Sequence, residues 1–179
     1  MRLSEPRVAP LRDDELSDEQ RDLLSRGNVA RLNIFRTLVR YPELYRKWGG
    51  FGAHVLGKST LPAREREIAI LRTGHLCRAE YEVYQHTTIA KLVGLSDEEI
   101  ERIKVGPGAP EWGDFDRAIL TAADELHAEQ FLSDATWQAL SVRYETPQML
   151  DLIFTIGQYT LVSMALNSLG VQIERDGAP

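Results

Sequence analysis

The chain has one cysteine, Cys77, no cluster of basic residues, and no segment that alternates polar and apolar residues as a half-buried strand would. Each scarcity removes a class of protein. A lone thiol excludes an intramolecular disulfide framework and suits a reducing compartment. Lys and Arg number 21 against 27 Asp and Glu, a formal net charge of −6, so nothing is concentrated to neutralise a phosphate backbone and no nucleic-acid partner is expected. The opening MRLSEPRVAPLRDDEL carries acids and lacks the apolar core of a signal peptide, which points to the cytoplasm. The main apolar stretch, Leu152 to Leu166, is short and interrupted by Gln158, so no membrane span is expected.

What remains is helical punctuation. Residues 1–16, with Pro6 and Pro10 and no helical period, read as an extended arm, lying over a neighbouring subunit or disordered. Residues 17–179 read as a single all-α domain. Ser17 and Gln20 have the spacing of a capping box for a helix from Asp18 to near Arg26–Gly27. Asn28 is placed to cap a second helix carrying Val29, Leu32, Ile34, Phe35, Leu38 and Val39. Pro42 suits the first turn of a third, Glu43 to about Leu56, with Leu44, Tyr45, Trp48, Phe51 and Val55. Thr60 and Pro62 open a fourth. Gly94 closes a fifth, and Ser96 and Glu99 form a second capping box for a helix through Ile103. Gly106–Pro110 is a loop, Asp114 or its neighbours begin the next helix, and Ser133 caps a shorter one. Thr146–Pro147 starts a last long helix, ending at Leu169–Gly170 and apolar nearly all round, as expected of a bundle centre or a subunit interface.

The stretch LPAREREIAILRTGHLCRAEYEVYQHTTIAKLV, Leu61 to Val93, carries the chemistry. It reads as two helices with a break near Thr73–Arg78, the second burying Val83, Thr87 and Ala90. Glu82 and His86 are four residues apart and share a helix face. If the helices fold back on each other, Glu67 approaches that pair, and two carboxylates with an imidazole can move protons near neutral pH. The plainer readings are a simple Glu–His contact and, for Glu67 within RERE, a solvated face. Cys77 reads as a small buried hydrophobe, and His54, His75 and His127 as structural or surface residues. Glu82 and His86 supply only two metal ligands, fewer than a closed site needs, so no metal is expected.

The run RERE, then ILRTGHLCRAEYEVYQH and AKLVGLSDEEIERI, resembles the carboxymuconolactone decarboxylase family, which includes the alkyl hydroperoxidase D-like (AhpD-like) proteins. Tyr81, Glu82, His86, Ala90, Gly94, Leu95, Ser96 and Ile100 match its pattern, and the likeness extends from about Asn33 onward. It implies an oligomeric all-α bundle of about eight helices, a homo-oligomer as trimer or hexamer. Peroxidase members carry a Cys-x-x-Cys pair; here those positions are Ala79 and Glu82, and Cys77 has no partner thiol to resolve a sulfenate. The likeness is therefore to the decarboxylase branch. It implies a cofactor-free decarboxylase acting on a small carboxylated lactone or keto acid, with Glu67, Glu82 and His86 catalytic. An acidic substrate wants a cation: Arg64, Arg66, Arg72 and Arg78 are all near in sequence, and Arg72, with Tyr81, is taken as the substrate-binding candidate. The alternatives are a thiol redox protein using Cys77 between subunits, and a non-catalytic oligomeric family member.

Overall fold

The computed structural model describes residues 1–25 and 29–174. Among them are nine α-helices and one 3-10 turn, Asp13–Glu15, and no strand. The helices are α1 (Asp18–Ser25), α2 (Asn33–Leu38), α3 (Pro42–Gly57), α4 (Ala63–Leu76), α5 (Glu80–Leu92), α6 (Asp97–Val105), α7 (Asp114–Ala128), α8 (Asp134–Ser141) and α9 (Thr146–Leu169). The all-α expectation holds, with one helix more than the eight expected.

The chain forms two compact units. The first takes Met1–Gly57 and the chain from Ala165 onward. Its core gathers Leu11, Leu23, Leu24, Val39 and Tyr45, bordered by a Phe35–Tyr45–Trp48 aromatic group with centroids 6.0–6.4 Å apart. The Ser17–Gln20 box forms: the Gln20 N–H donates to Ser17 Oγ, and the Ser17 N–H to Gln20 Oε1. The arm is extended apart from its 3-10 turn and packs on its own chain. Arg7 and Val8 N–H groups donate to the Leu169 carbonyl, and the buried Arg36 side chain donates to the Leu11 carbonyl. The second helix is shorter than expected, because Val29–Arg31 form a turn and α2 starts only at Asn33. Asn28 and the expected end of α1 lie outside the described residues.

The second unit, Lys58–Met164, packs α4 through α8 and most of α9 around a core that includes Ile68, Leu71, Ile103, Ile119, Leu120, Leu140, Leu152 and Ile156. Thr60 does not cap α4. Its N–H and hydroxyl both donate to Asp151, at 2.6 and 2.7 Å, and Pro62 occupies the N-cap position. Helix α4 continues past Thr73 to Leu76 and is closed by a tight turn in which the Ala79 N–H reaches the Gly74 carbonyl and Arg78 takes φ 52°. That is the geometry in which glycine is usual; an arginine accepts some backbone strain to turn the chain back. Gly94, φ 97°, makes the same turn after α5 without that strain. The Ser96–Glu99 and Ser133 caps form as expected.

One expectation about burial fails. On α5 the buried side is Tyr81, Glu82, His86 and Ala90, while Val83 and Thr87 are only half-buried. Helix α9 is not covered all round: Leu150, Phe154, Leu161 and Met164 form an exposed stripe at three- and four-residue spacing. At 24 residues α9 has the expected bounds and, by length and composition alone, could cross a membrane. Half of its apolar window is buried inside the protein, however, and Thr155, Gln158 and Ser163 lie on that buried side.

Candidate active site

The α4–α5 hairpin brings Glu67, Glu82 and His86 together in the buried interior of the second unit. Glu67 is wholly buried, Glu82 is 2% exposed and His86 7%. The RERE segment is thus no solvated face: Glu65 is buried too, held by the Tyr144 hydroxyl and the Arg143 guanidinium, each at 2.6 Å. Glu67 Oε2 lies 2.6 Å from His86 Nδ1, a short charge-assisted contact. With the proton on Nδ1 the carboxylate fixes the imidazole's tautomer and rotation, and Nε2 presents its lone pair to whatever enters.

Glu82 sits differently. The Ser163 hydroxyl of α9 donates to its Oε2 at 3.0 Å, while Oε1 is buried without a hydrogen-bond partner among the described residues. Burial pushes this carboxyl well above the usual carboxylate range, the Ser163 bond opposing only in part. The close approach of the helices depends on Gly74, where a Cβ would come within 3.0 Å of both Glu82 Oε1 and Val83 Cγ2.

Helix α9 adds Tyr159, which was not expected as a site residue. Its ring stands edge-on to the His86 imidazole, centroids 4.8 Å apart and planes at 89°. Burial first, then Glu67 and Glu82, raise its phenol above the ordinary tyrosine range; Arg66 acts in the opposite sense. Ser163 was likewise missed. Both lie in an apolar helix whose period gave no hint of a polar face, and only the folded neighbours reveal them.

The arginine expected to bind substrate does not join the cluster. Arg72 spends its guanidinium on both oxygens of Asp124, at 2.5 and 2.9 Å, and on the carbonyls of Ile103 and Lys104. It ties α4 to α7 and to the end of α6. Arg64 pairs with Glu99 and Asp116. Arg66, 12% exposed in its side chain, turns back onto Glu67, Nε to Oε1 at 3.4 Å. Tyr81 is buried on α5 beside Glu82. Cys77 is partly exposed rather than core, its Sγ 3.8 Å from His127 Nδ1 at the end of α4.

The site as built has a carboxylate–imidazole pair, a second buried carboxyl with one unused oxygen, and a phenol against the imidazole. Titratable groups held in contrasting environments at close quarters are suited to acid–base chemistry.

Comparison with known proteins agrees with this architecture. Residues 42–125 match the model of the carboxymuconolactone decarboxylase family. No curated protein sequence matches the chain. Among solved structures, an uncharacterised peroxidase-related protein with an alkylhydroperoxidase AhpD core, from Ralstonia eutropha JMP134, superposes with TM-score 0.79 at 18% identity, covering 97% of this chain and 95% of that one. The debrominase Bmp8 superposes with TM-score 0.77 at 15% identity, covering 93% and 91%. A protein of unknown function from Agrobacterium tumefaciens gives 0.70 at 19%, covering 76% and 94%. At such identities the structural likeness establishes the fold alone. The segment 42–125, which holds Glu67, Glu82 and His86, is the part of the chain that matches the carboxymuconolactone decarboxylase family, and the chain as a whole has an AhpD-like helical fold.

Proposed function

We propose that the protein is a cofactor-free, cytoplasmic decarboxylase of a small carboxylated lactone or keto acid. The observation that carries this reading is the buried Glu67–His86 contact beside the buried Glu82, whose carboxyl burial raises above the usual range. In such a reaction the C–C bond to the substrate carboxylate breaks, CO2 leaves, and the electron pair passes into the conjugated lactone or ketone. Glu82 then delivers its proton to carbon and recovers one from water. His86, aligned by Glu67, hydrogen-bonds the oxygen on which negative charge develops, in a site where low dielectric strengthens that bond. The trimeric or hexameric assembly implied by the family resemblance belongs to the same proposal, and the open apolar stripe of α9 supports it.

The test is CO2 release from γ-carboxymuconolactone with loss of substrate absorbance, for wild type and His86→Ala. Turnover should fall by about 10²-fold or more in the variant, with helical content and oligomeric state unchanged. No turnover of this or related lactones and keto acids by the wild type would sink the lyase reading.

One observation favours a second reading. Cys77 Sγ lies near His127 Nδ1, which is where a thiolate would find a proton acceptor. A redox role between subunits predicts peroxide consumption that Cys77→Ser abolishes; peroxide consumption unchanged in that variant would dismiss it.

A further inference from the structure

We infer that Arg66, rather than Arg72, is the receptor for the substrate's carboxylate; this inference rests on the lyase reading only for the kind of acid that it binds. The three arginines of α4 have different uses. Arg64 and Arg72 each hold two or more partners in well-aligned contacts. Arg66 is nearly as covered as Arg72, 12% against 10% of its side chain exposed, yet its hydrogen bonding is almost unused. Its Nε reaches Glu67 Oε1 at 3.4 Å, the long edge of the hydrogen-bond range. Its two terminal amino groups have no hydrogen-bond partner among the described residues.

Glu67 compensates this charge poorly, because its better-placed oxygen is committed to His86 at 2.6 Å. A guanidinium that is 12% exposed in its side chain and makes one long contact has donors to spare, and a second anion would take them up. The free edge of the fork, with two parallel N–H groups, is the geometry that accepts a carboxylate in two bonds. Its location is tied to the site from both sides: Glu67 bridges Arg66 and His86, and the Arg66 charge is felt at the Tyr159 phenol, whose ring abuts His86. The Tyr159 hydroxyl makes no hydrogen bond among the described residues and is a further donor for the same anion. A carboxylate seated there would leave the body of the acid toward His86 and the unused Oε1 of Glu82.

The experiment is calorimetric titration of wild type, Arg66→Gln and Arg66→Lys with 5-oxotetrahydrofuran-2-carboxylate and with its methyl ester. The wild type should bind the acid more tightly than the ester. Arg66→Gln should weaken the acid by about 10- to 100-fold, the worth of a charge-assisted hydrogen bond, and leave the ester unchanged. Arg66→Lys, which keeps the charge but not the fork, should fall between, and circular dichroism fixes that each variant is folded. Should Arg66→Gln be too unstable to titrate, the comparison of Arg66→Lys with wild type decides. Wild type that does not prefer the acid, or acid binding that is equal in the variants, overturns the inference. Acid bound through Arg66 by a protein that releases no CO2 from γ-carboxymuconolactone or related lactones and keto acids sinks the lyase reading and leaves Arg66 as an anion receptor.

Discussion

Helices α4 and α5 bury two groups of polar side chains that differ in one respect. Around Arg72 four of the five N–H donors are used: Asp124 takes two, the Ile103 and Lys104 carbonyls take two more, and the guanidinium even occupies the space in which a side chain on Gly106 would sit. Around His86 the account stays open: Glu82 Oε1, the Arg66 amino groups and the Tyr159 hydroxyl have no partner among the described residues. Both groups are buried and both contain charge, so burial of charge does not separate a site from a strut. Saturation does. A saturated group fixes geometry; an unsaturated one tolerates its desolvation cost because something else completes it.

Breaking the saturated group should cost the most stability. Asp124→Ala leaves Arg72 charged and largely buried, and unfolding in urea should show a loss of about 3 kcal/mol, the lower end for a broken buried pair because Asp124 keeps 31% of its side chain exposed. Activity per folded molecule should be retained. A loss below about 1 kcal/mol would place Arg72 among surface pairs instead.

The open group responds through pH. Glu82 has its carboxyl raised above the unfolded value of 4.5, so the folded state holds a proton that the unfolded chain has released. Its contribution is fully present below pH 4.5 and is lost as pH rises toward the folded pKa. Glu82→Gln should flatten that part of the stability–pH curve, leave the protein at least as stable at pH 8, and remove turnover. An unchanged slope would mean that Glu82 is ionised in the fold. The smallest effect is expected of Ser163→Ala, about 1 kcal/mol or less, from one hydrogen bond to the Glu82 carboxyl. Its sharper readout is the pH–rate profile: without the Ser163 donor, which favours the ionised form, the limb belonging to Glu82 should move to higher pH.

Much of this was legible in advance where the signal was local. The Ser17, Ser96 and Ser133 caps, the Gly94 and Gly170 turns and the four-residue spacing of Glu82 and His86 depend on residues within one turn of each other. The failures share the opposite property. Thr60 looked like a cap until Asp151, distant in sequence, claimed both of its donors. Arg72 looked available until Asp124 and the end of α6 enclosed it. The apolar period of α9 concealed that Tyr159 and Ser163 face the imidazole and the buried carboxyl, while Leu161 and Met164 face out.

The sequence by itself determined that the chain is helical, where most helices begin and end, and that one helix face would carry Glu82 and His86, because caps, turns and the 3.6-residue period act over a few residues. Tertiary structure decided which carboxyl is raised by burial, which arginine is spent and which is left open, and which side of the apolar helix faces His86 and Glu82. Those properties belong to desolvation and to partners from other helices, and neither exists until the helices pack.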